Sequence, residues 1–251
     1  AYEIYQCDWS SDVCSSDLDA HKYSRGIVAV VAGSDKYPGA ALLTVAGARH
    51  GGDGYVKFLP PNKSVEELVI ARYPDVVPIS TLTRQRCDAI VLGPGGATLR
   101  KIPDLIPLVL DSAALPIARR KRDGITVVTP HEGELALLGY ERSDRQKIAL
   151  KIARDLGVIV VLKGPKTLVA SAGNEIHIDL IGGRELATAG SGDILAGLIG
   201  SMLSSWKPKD SKSAHQVVCQ AVELHSRAGR FAAKKFRSVT ALEIAESLPF
   251  V

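Results

Sequence analysis

Short, continuous apolar runs alternate with longer segments of helical composition along most of the chain. The first run covers residues 27–32 (IVAVVA) and ends at Gly33. Similar runs cover residues 55–59, 89–92, 108–111, 125–128 and 158–162. Runs of this length are typical of strands buried on both faces of a parallel sheet. The alternation therefore predicts an α/β fold.

Other segments have features of helices or of a hairpin. Residues 40–50 are rich in Ala and Leu and precede two glycines, and residues 143–156 begin with Ser143 as the predicted N-cap and end before Gly157. From Asp193 onward the pattern is helical, and residues 194–203 are apolar almost all round, which indicates a buried helix. Residues 168–170 and 175–178 flank a Ser-Ala-Gly-Asn turn and predict an antiparallel hairpin.

Loops rich in Gly, Pro and polar residues follow the predicted strands. They cover residues 33–40, 93–96, 129–134 and 163–167, and a similar turn covers 190–193. One such loop means only that tight βα connections need these residues. Because the carboxyl ends of parallel strands meet at one edge of a sheet, several such loops predict a ligand crevice there.

The segment ATAGSGDILAG (187–197) is the most informative stretch of the chain. Gly190 and Gly192 allow a tight turn with outward N–H groups, and the helix that follows offers its positive N-terminal end to an anion such as phosphate. Asp193 has two interpretations, a helix N-cap or a general base beside the anion. The spacing leaves both open.

Three further polar residues follow predicted strands, and each has two interpretations. His131 is a structural hydrogen-bonding residue or part of the crevice. Glu134 caps the following helix or reaches a metal-bound water, and Lys163 neutralises a phosphate or lies on the surface.

Composition excludes several classes of protein. The 251 residues are 46% hydrophobic and only 5% aromatic, with a formal net charge of +4. The basic run 119–122 is typical of a solvated loop, and so few aromatic residues argue against nucleic-acid binding. No apolar run reaches the ~18 residues that span a bilayer. The four cysteines show no metal-ligand or disulfide spacing, which predicts a cytoplasmic protein. P-loop, Rossmann and nucleophile-elbow motifs are absent.

The first 18 residues, AYEIYQCDWSSDVCSSDL, show neither a helical nor a strand period and contain a near-repeat of Ser-Ser-Asp. They resemble a translated sequencing adapter. We expect residues 1–18 to be a non-native or disordered leader without a site. Residues 19–251 are predicted to form one domain, since no linker divides them.

Six motifs occur in an order that resembles the ADP/ATP-dependent NAD(P)H-hydrate dehydratases, a family of the ribokinase-like superfamily. They are AGSDKYPGAALL (32–43), GPGG (93–96), VLDSAAL (109–115), TPHEGELALLG (129–139), VLKGPKTLVAS (161–171) and LATAGSGDILAG (186–197). The resemblance implies a ribokinase-like three-layer α/β/α fold, with a mostly parallel sheet and an antiparallel hairpin. The GPGG motif departs from the family pattern at Gly96-Ala97.

The resemblance also implies an activity and its participants. The substrate is the S-epimer of hydrated NADH or NADPH, ADP or ATP is the phosphate donor, and Mg²⁺ bridges the phosphates. ADP phosphorylates the hydroxyl of the hydrate, and loss of phosphate restores NAD(P)H and leaves AMP. A homotetramer, and fusion to or partnership with an epimerase, are further expectations.

Residue roles are likewise implied by the resemblance. Asp193 is the catalytic base. The hydrate site contains Ala40, Gly95, His131 and Asp193, and the nucleotide site contains Lys163, Gly164, Pro165, Lys166, Thr167 and Gly192. Two other functions stay open, a ribokinase-like kinase of a small alcohol or vitamin precursor and a nucleotide-binding protein without catalysis.

Overall fold

The computed structural model of the chain describes residues 25–52 and 54–251. The leader predicted at residues 1–18, and the first residues of the predicted domain, lie outside the described residues.

Nine strands form one sheet within the described part of the chain. In chain order they are β1 (Ile27–Val31), β2 (Tyr55–Phe58), β3 (Val77–Pro78), β4 (Ala89–Leu92), β5 (Leu108–Leu110), β6 (Thr126–Val128), β7 (Ile159–Leu162), β8 (Leu168–Ala170) and β9 (His177–Ile178). The strand order across the sheet is β3-β2-β1-β4-β5-β6-β7-β8-β9. Strands β1 to β7 are parallel, and β8 is antiparallel to both of its neighbours. The predicted sheet and hairpin are confirmed, whereas β3 was not predicted.

Six α-helices cover the sheet within the described residues. They are α1 (Pro38–Ala48), α2 (Lys63–Arg72), α3 (Arg145–Leu156), α4 (Ser191–Trp206), α5 (Ser211–Lys235) and α6 (Ala241–Ser247). Short 3-10 segments cover Pro94–Gly96, Ser112–Arg119, Glu132–Leu138, Arg184–Leu186 and Leu248–Phe250.

Helices α3 and α1 begin at other residues than predicted. Helix α3 begins at Arg145, because the Asp144 carboxylate accepts a hydrogen bond from the Lys147 N–H at 2.9 Å. The predicted cap at Ser143 was therefore wrong by one residue, while the stop at Gly157 is confirmed. Helix α1 begins two residues before the predicted position because Pro38, which needs no N–H partner, occupies its first turn.

Alternate residues of the strands face two separate apolar layers. Val28 and Val30 of β1 belong to a core that includes buried residues of α1, α2, α4, α5 and α6. Ile27 and Ala29 belong to a second core with α3 and with the 3-10 segment Ser112–Arg119. The sheet is therefore the middle of three layers, as the α/β prediction requires. None of the described helices combines the length and the apolar character needed to cross a bilayer.

Helices α1 and α4 pack with their backbones in contact. A Cβ atom at Gly47 would overlap the carbonyl oxygen of Ile194, and one at Gly197 would overlap the carbonyl oxygen of Thr44. Near the start of α4, a Cβ at Gly190 would overlap the side chain of Leu43. This contact holds the N-terminal end of α4 beside the first turns of α1, at the edge of the sheet where β1 ends.

Candidate active site

Polar residues directly after β5, β6 and β7 meet at the carboxyl edge of the sheet. Asp111 follows β5, Thr129 follows β6 and Lys163 follows β7. His131 forms a parallel β-bridge with Lys163, whose N–H donates to the Pro130 carbonyl at 2.8 Å. The crevice predicted at the strand ends is therefore present.

Lys163 is a largely buried cation between carboxylates. Its Nζ lies 2.6 Å from Asp111 Oδ1 and 3.9 Å from Glu134 Oε2, and 18% of its side chain is exposed. The hydroxyl of Thr129 donates to the same Asp111 oxygen at 2.6 Å. Because Lys163 is enclosed in this way, the surface interpretation of the residue was wrong.

Glu134 has the capping role that was one of its two interpretations. Its carboxylate accepts a hydrogen bond from the His131 N–H at 2.9 Å. This bond caps the first turn of the 3-10 segment Glu132–Leu138. The same Oε2 atom lies 3.5 Å from His131 Nε2. The His131 side chain is 58% exposed and lines the cleft described below, so one face of this histidine is free to meet a ligand.

Asp193 is the third residue of α4 and not its N-cap. Gly190 occupies the N-cap position with φ of +89°, a left-handed conformation that glycine adopts without strain, so the helix begins at Ser191. The N-cap interpretation was therefore wrong. Burial raises the pKa of the Asp193 carboxyl to about 7, the charges of Asp111 and Glu134 add to this rise, and Lys163 opposes it. A carboxyl with a pKa near neutrality can accept a proton at physiological pH, as a general base requires.

A cleft of about 690 Å³ opens beside these residues, within the usual size range of small-molecule sites. Most of the predicted nucleotide-binding residues line it: Lys163, Gly164, Pro165, Thr167 and Gly192, together with His131. A Cβ at Gly192 would lie 3.2 Å from Lys163 Nζ, so the lysine approaches the first turn of α4 closely. Lys166 does not line this cleft. It lines a separate depression with residues of α3, and its carbonyl accepts a hydrogen bond from the Arg145 guanidinium at 3.1 Å.

The four residues predicted for the hydrate site fall into two groups. Ala40 and Gly95 contact each other, since a Cβ at Gly95 would lie 2.6 Å from Ala40 Cβ, and neither lines the cleft. His131 lines the cleft. Asp193 is not part of its lining, but it lies close enough to Lys163 and Asp111 for their charges to shift its pKa. All four lie at the carboxyl edge of the sheet, but they do not line one cavity.

The structure adds residues that the sequence did not single out. Asp111 is one, although a polar residue directly after an apolar run was a signal for it. The others lie around the cleft: Ser191 Oγ lies 3.2 Å from His225 Nε2, and the Ser226 hydroxyl donates to the Asp179 carboxylate at 2.6 Å. Burial lowers the pKa of His225 to about 4, which keeps its imidazole neutral at physiological pH.

The donor set of the crevice fits magnesium bound together with a nucleotide. Within residues 25–52 and 54–251, no group of three or more His, Cys, Asp or Glu side chains is arranged to hold a metal. Nucleotide-bound Mg²⁺ needs only one or two protein carboxylates, because phosphate oxygens and waters complete its coordination. Asp111 and Glu134, which flank Lys163, are carboxylates of that kind.

Solved structures share this fold. The ADP/ATP-dependent NAD(P)H-hydrate dehydratase from Bacillus subtilis, co-crystallised with ATP and Mg²⁺, is 28% identical with a TM-score of 0.79, and the match covers 93% of this chain and 91% of that one. A ribokinase-like superfamily protein from Enterococcus faecalis, 24% identical over 93% of this chain and 89% of its own, also has a TM-score of 0.79. The ribokinase-like three-layer prediction is confirmed.

Curated relatives have related names. The ADP-dependent (S)-NAD(P)H-hydrate dehydratase of Neisseria meningitidis is 36% identical over 84% of this chain and 78% of its own length. The bifunctional NAD(P)H-hydrate repair enzyme of Gloeobacter violaceus is 34% identical over 86% of this chain. This chain spans 47% of the length of that bifunctional relative, about half.

A family profile described as NAD(P)H-hydrate dehydratase matches residues 28–249, which is nearly all of the described chain. That range contains every motif quoted above and all the residues of the cleft. The chain belongs to the NAD(P)H-hydrate dehydratase family.

Proposed function

We propose that the chain catalyses the ADP-dependent dehydration of the S-epimer of hydrated NADH or NADPH, with NAD(P)H, AMP and phosphate as products. The observation that carries the proposal is the position of the half-buried Asp193 carboxyl in the first turn of α4, close to Lys163, where its pKa is raised to about 7. The printed name of the Neisseria meningitidis relative supports the choice of reaction and nucleotide.

Asp193 takes the proton from the hydroxyl of the hydrate as that oxygen attacks the terminal phosphoryl group of ADP. The new O–P bond forms while the bond between the two phosphates of ADP breaks, and AMP leaves with the electron pair. The phosphorylated hydrate then loses phosphate by cleavage of its C–O bond. Loss of the adjacent proton restores the dihydronicotinamide ring, so the overall change is loss of water.

Two positive features of the crevice stabilise charge on the transferred phosphoryl group. The positive end of the α4 dipole faces this group, since no side chain caps the helix at Gly190. Lys163 reaches the same place because Gly192 leaves room for its ammonium group. The contact with Asp111 holds Lys163 in position for this role.

Mg²⁺ bound with the nucleotide would supply positive charge that neutralises the phosphates. Glu134 and Asp111 are the carboxylates that would hold it. Glu134 is suited to this because its capping hydrogen bond to the His131 N–H fixes the carboxylate toward Lys163.

The remaining predicted residues receive the two substrates. The cleft residues Lys163, Gly164, Pro165, Thr167 and Gly192 receive the nucleotide, and the apolar side chains Leu186, Leu195 and Val222 of the same cleft suit its base. Lys166 does not line the cleft, and it supports this loop from behind through the hydrogen bond that its carbonyl accepts from Arg145. The hydrate site is bordered by Ala40, Gly95 and His131.

The test is the near-ultraviolet absorbance of the dihydronicotinamide after the full chain is mixed with the hydrate, Mg²⁺ and either ADP, ATP or no nucleotide. A rise that needs nucleotide supports the proposal, and the faster nucleotide identifies the donor. Accumulation of a stable phosphorylated alcohol identifies a kinase instead. Nucleotide binding without any turnover identifies a binding protein, and either result contradicts the proposal.

The cellular setting is part of the proposal. We propose a cytoplasmic homotetramer that acts with an epimerase, either fused or separate. The free thiols of Cys87 and Cys219, whose pKa values burial raises to about 11 and about 12, suit a reducing compartment. Light scattering after gel filtration measures the oligomeric state, and a monomer would contradict this part.

A further inference from the structure

A basic pocket of about 400 Å³ lies at the amino-terminal edge of the sheet. One wall is the segment before β5, and the other is the segment between the 3-10 segment Ser112–Arg119 and β6. The pocket is lined by Arg100, Lys101, Ile102, Asp104, Ile117, Arg120, Lys121 and Arg122. Asp111 of the candidate active site lies at the other end of β5, so the two sites occupy opposite edges of the sheet.

Positive charge dominates the lining. Five of the eight lining residues are basic and one is acidic, an excess of four charges, as large as the formal net charge of the entire chain. Arg100, Lys101, Arg120 and Lys121 are exposed, and none of the four makes an ion pair within the described part of the chain. These four cations therefore have no carboxylate of the described residues at ion-pair distance, although Asp104 also lines the pocket.

Arg122 fixes the two walls relative to each other. Its guanidinium donates to the carbonyls of Pro103 at 2.7 Å and Ile106 at 2.8 Å, and only 6% of its side chain is exposed. The nearest carboxylate, that of Asp104, lies 3.9 Å away. The base of the pocket thus holds a largely buried cation that backbone carbonyls fix in place and whose ion pair with Asp104 is long.

We propose that this pocket binds a small anion with several negative charges, of the chemical class of inorganic pyrophosphate and tripolyphosphate. Cations on two walls can contact adjacent phosphoryl groups of one anion at the same time. An anion with a single charge could not contact both walls in this way. The apolar lining consists of Ile102 and Ile117 alone, without an aromatic ring on which a base could stack. A pocket of this size also suits a compact anion better than a polynucleotide strand.

The test is calorimetric titration of tripolyphosphate into the full chain and into two double variants. Arg100→Ala with Lys101→Ala removes two charges from one wall, and Arg120→Ala with Lys121→Ala removes two from the other. Arg122 stays in place because it holds the walls together. The control, Lys209→Ala with Lys212→Ala, removes the same charge from exposed positions outside the pocket. Each titration is repeated with Lys163→Met, because the active-site lysine also attracts phosphate.

We expect one binding event that survives Lys163→Met and the control, weakens about tenfold or more in either wall variant, and weakens further as salt is raised. Binding that disappears with Lys163→Met, or falls equally in the control, would overturn the proposal. So would an absence of binding to the folded chain, or tighter binding of an RNA oligonucleotide of equal charge. The dehydratase assay is independent of these results, so a failure here leaves the proposed function standing.

Discussion

Lys163 Nζ lies 2.6 Å from Asp111 Oδ1, across 52 positions of sequence, because the two residues directly follow β7 and β5, the parallel strands on either side of β6. The pair acts on Asp193 in opposite directions: the charge of Asp111 raises the pKa of Asp193 and that of Lys163 lowers it. The lysine that attracts phosphate and the carboxylate that tethers it therefore also set the pH at which the proposed base ionises.

Removing either partner should move the acid limb of the pH–rate profile. In Asp111→Asn we expect the limb to move about one pH unit lower, since a neighbouring negative charge is lost, and in Lys163→Met about one unit higher. Turnover of the hydrate at saturating ADP, measured across pH, checks both. A limb that stays in place in both variants would show that burial alone determines the pKa of Asp193.

Asp193→Asn should keep nucleotide binding and lose turnover by a factor of about 10² to 10⁴, the usual contribution of a general base. The amide has nearly the shape of the carboxyl but cannot take the proton of the hydroxyl. Calorimetric titration with ADP and the absorbance assay separate the two effects. If turnover is unchanged, Asp193 does not have the role proposed here.

Much of the fold could be predicted from the apolar runs, because strands buried on both faces leave a plain signal in sequence. The sheet edge could not: β3 has two residues, Val77 and Pro78, too few to show a period. The start of α4 was misplaced for a different reason. Asp is a common N-cap, and this favoured a helix start at Asp193. The left-handed turn at Gly190 makes that glycine the N-cap, so the helix begins at Ser191, two residues before Asp193.

The candidate site could be predicted only in part. Positions after a predicted strand or in a glycine-rich turn can be recognised in the sequence, and this identified Lys163, His131 and Gly192. The partners of these residues depend on tertiary contacts. Nothing local in α5 distinguishes His225, which becomes a neighbour of Ser191 only because α4 and α5 pack together. The exclusion of Lys166 from the cleft depends likewise on a contact with Arg145.

Asp193 and His225 should make opposite contributions to the pH dependence of stability. The folded pKa of Asp193 is about 7 against 3.8, so the folded state keeps a proton that the unfolded state has lost between these values, and stability falls as pH rises through this window. The folded pKa of His225 is about 4 against 6.5, so its contribution to stability is lost as pH falls through 6.5 toward 4. The two effects oppose each other in the native chain.

Single variants should separate these contributions. We expect Asp193→Asn to raise the free energy of unfolding above pH 7, by up to about 4 kcal/mol, and to have little effect near pH 4. His225→Gln, which can still hydrogen-bond Ser191, should lose less stability on acidification than the native chain. Urea unfolding across this pH range measures both. Equal changes at every pH would mean that the variants act through packing and not through protonation.

The backbone contact between α1 and α4 gives a prediction about stability. In Gly197→Ala the new methyl group would overlap the carbonyl oxygen of Thr44, and because both atoms lie in helices, neither can move without shifting a helix. We expect a loss of about 1–3 kcal/mol in the free energy of unfolding, the usual cost of overpacking a core. Gly39→Ala in α1 is the matched control, because no atom lies within 4 Å of the added Cβ. It should be neutral or stabilise the chain by up to about 1 kcal/mol, since alanine favours the helix. Equal effects of the two substitutions would show that α1 and α4 are not in backbone contact. A loss of stability in Gly197→Ala but not in Gly39→Ala would show that the close contact of α4 with α1, which Gly197 permits, holds the helix that carries Asp193 in place.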